Sequence, residues 1–94
     1  MTDEEAIRRV LDGQINCFDS LVGKYQKKVV GMIYNMTRDH HLSEDVGQEV
    51  FLRLYFSLDQ LRTPEVFEPW LYRLTVNAAY DYLRKQRRHH LARV

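Results

Sequence analysis

Ninety-four residues with a formal net charge of +1 and 45% hydrophobic content describe one small domain, which buries roughly two-thirds of its unfolded surface if it folds alone. The near-neutral balance excludes a partner selected by bulk charge, and the lone Cys17 excludes an internal disulfide, so a reducing compartment is the simpler setting. The opening MTDEEAIRRV lacks the apolar run of a signal peptide and no window reaches the length of a membrane span, which predicts a cytoplasmic domain without membrane insertion.

Thr2 followed by Glu5 fits a capping box and predicts a short leading helix within residues 1–12, starting near residue 3, with Ala6, Ile7, Val10 and Leu11 on its apolar side and Gly13 ending it. Residues 14–37 carry Ile15, Phe18, Leu21, Val22, Tyr25, Val29, Ile33 and Met36 at steps of three and four, the pattern of a long amphipathic helix. Gly23 and Gly31 weaken it by about 1 kcal/mol each relative to alanine. Residues 38–42 form a short connection, and Ser43 is the expected cap of a third helix over 43–58, with Glu44 and Asp45 near its positive end.

That third helix organises the chain. Val46, Val50, Leu54 and Leu58 share one face, Phe51 and Tyr55 widen the stripe, and Asp45, Gln48, Glu49 and Arg53 fall largely on the other side. Residues 59–66 form a loop, because Pro64 disfavours helical geometry at Thr63. A last helix is predicted over 67–88, with Pro69 in its first turn, where no intrahelical donor is lost. Strand alternation and internal repeats are absent from the sequence, so the expected fold is all-α: a compact bundle of three main helices plus the short N-terminal one.

Charge is distributed unevenly. Asp39, Glu44, Asp45 and Glu49 form an acidic block, whereas Arg84, Lys85, Arg87, Arg88 and Arg93 form a basic tail, which suits two different partners. On the last helix Phe67, Leu71, Leu74, Ala78 and Tyr82 are expected core, and Trp70 reads more simply as core than as a base-stacking ring. Arg73, Asn77, Tyr80, Arg84 and Arg87 follow a second row. Arginines hold phosphates, an amide pairs with a base edge, and a tyrosine stacks on an unpaired base. A merely solvated face is the alternative reading of the same spacing.

Three linked stretches resemble region 2 of a bacterial sigma factor of the extracytoplasmic-function (ECF) type. Phe18, Leu21, Val22, Tyr25 and Val29 match F-x-x-L-V-x-x-Y-x-x-x-V, and SEDVGQEVFLRLYFSLDQL is similar to the family's acidic-pair, Gln-Glu, Phe-Leu-Arg stretch. Phe67, Trp70, Leu71, Arg73, Leu74, Asn77, Asp81 and Arg84 meet every fixed position of F-x-x-W-L-x-R-I/L-x-x-N-x-x-x-D-x-x-R.

The resemblance covers about residues 1–90 and implies a sigma region 2 domain over 1–94. It implies docking on the β′ clamp helices of RNA polymerase core through Asp45, Gln48, Glu49, Phe51, Leu52 and Tyr55. It further implies recognition and melting of the −10 promoter element on the non-template strand. Leu61, Arg62, Thr63, Pro64, Glu65 and Val66 would form the loop that captures an unstacked base. Asn77 and Tyr80 would read the paired end, while Arg73, Arg84, Lys85, Arg87 and Arg88 position the backbone. Asp81 is expected to be structural, pairing Arg84, Lys85 or a loop donor. An anti-sigma factor is an expected further partner.

Gly47 departs from the family's usual larger residue, Leu61 replaces an aromatic, and the Pro64-Glu65 pair leaves the flipped base unassigned. The family's −35-reading domain, region 4, has no counterpart here, so the expectation is a fragment.

His40-His41 and His89-His90 lack a third ligand at metal spacing, and neither a nucleophile triad nor a phosphate loop stands out, so no metal, cofactor or enzymatic activity is expected. Cys17 is read as core or boundary. Two other classes stay open: a helix-turn-helix regulator of duplex DNA, and a helical adaptor without a nucleic-acid role.

Overall fold

The backbone N–H of Glu5 donates to Thr2 Oγ1 at 3.1 Å, so the first helix starts where the capping pair predicts. The computed structural model describes residues 1–61 and 63–92. It runs through α1 (Asp3–Leu11), a 3₁₀ turn Ile15–Cys17, α2 (Phe18–Thr37), α3 (His40–Ser57), 3₁₀ turns Leu58–Gln60 and Pro64–Val66, and α4 (Phe67–Ala92). No strand occurs among the described residues, and the fold is all-α as expected.

Two element starts differ from the sequence reading. The second helix begins at Phe18 instead of residue 14, because Gly13 adopts φ +101° and the chain re-enters helix through the Ile15–Cys17 turn. Ile15, expected in the apolar row, is consequently 58% exposed, while Cys17 is buried.

The third helix begins at His40, three residues before Ser43. Arg38 takes a left-handed conformation (φ 57°) that closes α2 in one residue, and Asp39 then caps α3 by accepting from the Leu42 N–H at 3.0 Å. Ser43 is fully buried, and its hydroxyl donates to the Asp39 carbonyl at 2.6 Å.

The core lies where α2, α3 and α4 meet. Leu21, Tyr25, Val29 and Ile33 of α2 face Val46, Val50 and Leu54 of α3, together with Leu58, and Phe67, Leu71, Ala78 and Ala79 of α4. Val46, Val50, Leu54 and Leu58 are all buried, as their spacing of four predicts. On α4 the buried row passes through Thr75, whose hydroxyl is satisfied by the Leu71 carbonyl at 2.9 Å, leaving Leu74 and Tyr82 half-buried.

Gly47 is buried against α2: a Cβ there would meet Val30 Cγ2 at 3.0 Å, so the missing side chain permits close approach of the two helices. α4 outruns the bundle, and residues 84–91 are all exposed. The radius of gyration, 14.7 Å, accordingly exceeds the ~12 Å of a compact chain this long, with extents of 50 × 22 × 21 Å.

Candidate nucleic-acid interface and docking face

Burying Val46, Val50 and Leu54 turns the opposite side of α3 outward. Asp45, Gln48, Glu49 and Leu52 are exposed there, as expected. Phe51 is not: it is 7% exposed and belongs to the core. Tyr55 is half-buried, with its ring edge-on to Phe18 at 5.3 Å between centroids. The aromatic that α3 does present is Phe56, 76% exposed and absent from the sequence-derived set. Its phase was a usable signal, since it lies two residues from Leu54 and Leu58 and off their row.

Beside Leu52 an open groove of about 1050 Å³ runs between α2 and α3, walled by Phe18, Val22, Val30, Gln48 and Tyr55. Acidic side chains therefore flank an apolar hollow, a combination suited to a basic helical partner that also carries apolar side chains.

The second face belongs to α4. Arg73, Asn77, Tyr80, Arg84, Lys85, Arg87 and Arg88 are all exposed, with Tyr80 at 55%. Arg53, Leu74, Asn77, Tyr80, Asp81 and Arg84 enclose a hollow of about 570 Å³ at its centre. Asp81 accepts from Arg84 and, at 3.2 Å, from Arg53 of α3; the two guanidiniums, Arg84 first, hold its carboxyl below the ordinary value. Arg53 also donates to Glu49 at 3.2 Å. Burial works against its charge, but the two carboxylates outweigh that cost and its pKa is raised. The expected pairing of Asp81 with Arg84 is present, and among the described residues its second donor is Arg53 of α3.

The connection leading to α4 is short and tightly turned. Leu61 is half-buried against the core, and its N–H donates to Leu58 at 3.1 Å. Thr63 is extended (φ −130°, ψ 121°), as the following proline requires, and Pro64–Val66 make one 3₁₀ turn with Glu65 and Val66 exposed. Arg62 of this segment and Arg93 of the basic tail lie outside the described residues. Trp70 is half-buried and packs on the core.

Among the described residues no group of side chains is arranged to hold a metal ion, and no helix is long and apolar enough to cross a membrane. His40 instead stacks on Tyr34 at 4.3 Å.

Residues 21–89 match the model of sigma-70 region 2. The chain is similar to the RNA polymerase sigma-H factor of Pseudomonas aeruginosa, 38% identical over 81 residues that make up 86% of this chain and 42% of that protein. It is likewise 38% identical over 88 residues to the ECF RNA polymerase sigma-E factor of Haemophilus influenzae, covering 94% of this chain and 46% of that one. The chain thus spans less than half the length of these relatives. Its fold is similar to an NMR structure of an engineered region 2 of sigmaE in complex with GTAAAA, with a TM-score of 0.88 and 36% identity over 95% of this chain and 93% of the other.

Proposed function

The chain belongs to the sigma-70 region 2 family, and from that premise we propose that it acts in transcription initiation by docking on the polymerase β′ clamp helices and opening the −10 element. The observation that carries this reading is the segregation of two chemistries on one bundle. The acidic and apolar face of α3 (Asp45, Gln48, Glu49, Leu52) suits a basic helical partner, and the cationic, amide and aromatic row of α4 suits nucleic acid.

The similar sigmaE region 2 is described in complex with GTAAAA, which supports assigning the α4 side to DNA. Asn77 and Tyr80 read the upstream end, Arg73, Arg84, Lys85, Arg87 and Arg88 hold phosphates, and Leu61 and residues 63–66 shape the pocket for one unstacked base. The role is non-enzymatic, since the chemistry is the polymerase's. The cytoplasm is its place of action, and an anti-sigma factor covering these faces is the natural regulator.

The deciding experiment is binding of the 94-residue chain to a β′ clamp-helix fragment beside Gln48→Ala/Glu49→Arg. Saturable binding lost in the variant supports the docking face, and absence of wild-type binding at ~10 μM favours an adaptor or a duplex regulator. A parallel titration with DNA separates those two: this reading expects preference for the non-template single strand, with about four neutralised phosphates giving a log-log salt slope near −3. Asn77→Ala should relax base preference there, whereas Arg87→Ala should weaken all sequences alike.

A further inference from the structure

α1 has nine residues, too few to hold a helix by itself, so its place depends on what docks it. Ala6, Ile7 and Val10 are buried, and the helix packs against α2, against the Ile15–Cys17 turn that follows it and against the two later 3₁₀ turns, Leu58–Gln60 and Pro64–Val66. Its first residue supplies the polar lock: the Asp3 carboxylate accepts from the Tyr25 hydroxyl through one oxygen and from Lys24 Nζ at 3.0 Å through the other. Tyr25 is 4% exposed and sits edge-on to Phe67, 5.6 Å between centroids. Phe67 is buried and directly follows the Pro64–Val66 turn.

The described residues of the segment leading into α4 are otherwise tied by short local bonds. Among the described residues its backbone N–H ties are Leu61 to Leu58, Val66 to Thr63 at 3.2 Å and Phe67 to Pro64, each spanning three residues, while Thr63, Glu65 and Val66 face solvent. A segment so sparsely bonded takes its shape from the surfaces beside it, here α1 on one side and Phe67 at its end.

We infer that α1 is a brace for the base-capturing loop and that Asp3, through Tyr25 and Phe67, is a positioning residue for base selection; this rests on the reading of Leu61 and residues 63–66 as the base pocket. A base pocket needs its walls held to within about half an ångström. If the brace is loosened, the binding-competent loop is populated only part of the time, and apparent affinity for the cognate strand falls by that fraction. The phosphate contacts of α4 do not pass through α1, so binding to unrelated single strands is unaffected.

The test uses Asp3→Asn, with Tyr25→Phe as a second variant that removes the hydroxyl and keeps the ring on Phe67. Amide hydrogen exchange of the free protein is read at Val66 and, as a monitor of global opening, at Ile33 in the buried face of α2. Both variants should exchange Val66 about tenfold faster with a much smaller change at Ile33. They should also lose about tenfold in discrimination between −10 single strands that differ at the captured base, with scrambled-strand affinity unchanged.

Unchanged Val66 exchange overturns the brace. Faster exchange with wild-type discrimination retained overturns the positioning role. Faster exchange in a protein whose wild type does not discriminate at all upholds the brace and removes the base-pocket reading instead.

Discussion

Arg53 of α3 donates to the carboxylate of Asp81 on α4 at 3.2 Å, and its other terminal nitrogen donates to Glu49 at the same distance. One guanidinium thus stands between the acidic face of α3 and the cationic row of α4. Asp81 in turn pairs with two arginines, Arg53 and Arg84, the first of which it shares with Glu49.

Asp81→Asn removes the one acid from that row and releases the Arg84 guanidinium, while Arg53 stays paired with Glu49. The variant should bind single strands more tightly at low salt, with the log-log salt slope steeper by about one. Fluorescence anisotropy across a salt series measures this. An unchanged slope would mean that Arg84 does not come near the backbone.

Leu52 and Phe56, 59% and 76% exposed, contribute little to the fold. Phe56→Ser should leave stability within about 0.5 kcal/mol. Burying a phenylalanine side chain is worth about 1.5–3 kcal/mol, so the same change should weaken docking on the β′ fragment about ten- to a hundredfold. Thermal melts beside a binding titration separate the two effects, and a large drop in melting temperature would place Phe56 in the core.

Gly47 and Gly23 differ although both sit inside helices. Nothing lies within 4 Å of a Cβ at Gly23, so Gly23→Ala should stabilise the protein by about 0.5–1 kcal/mol. At Gly47 the same methyl meets Val30 at 3.0 Å, which offsets the propensity gain, and Gly47→Val should cost about 1–3 kcal/mol by overpacking. Val30→Ala introduced with Gly47→Ala relieves the contact, so the pair should be more stable than Val30→Ala alone. Urea midpoints decide it.

Tyr25 makes the alkaline limb of stability steep. Burial, then the hydrogen bond to Asp3 and its charge, with smaller contributions from Glu68 and Tyr72 of α4, push the hydroxyl far above its ordinary 10.0, and Lys24 lies 5.4 Å from the ring centre. A group whose pKa is higher folded than unfolded contributes stability in full below the unfolded value and loses it as pH rises above that value, here from about pH 10 upward. Tyr25→Phe should flatten this limb in denaturant midpoints between pH ~8 and ~11. Asp81 has the opposite sign: its lowered carboxyl contributes above the ordinary 3.8, and that contribution is lost as pH falls through the depressed value.

Much of this was legible in the residue order. The apolar rows of Leu21, Tyr25, Val29 and Ile33 and of Val46, Val50, Leu54 and Leu58 are buried as their spacing predicts, because a helix of 3.6 residues per turn converts spacing into a face locally. The exposed row Arg73, Asn77, Tyr80, Arg84 and Arg87 followed in the same way. Ser43 misled because a serine followed by two acids is a good cap in isolation, while Asp39, placed directly after the left-handed Arg38, reaches the free N–H groups first.

The sequence by itself therefore determined the helices, the core rows, the opposed charges and the family, since each is written in residues three to eight apart or in a motif of fixed spacing. Tertiary structure alone decided that Arg53 joins Asp81 across 28 positions and that Asp3 holds Tyr25 across 22. Those pairings arise where helices cross, and crossing geometry depends on how whole faces interdigitate, which no local period encodes.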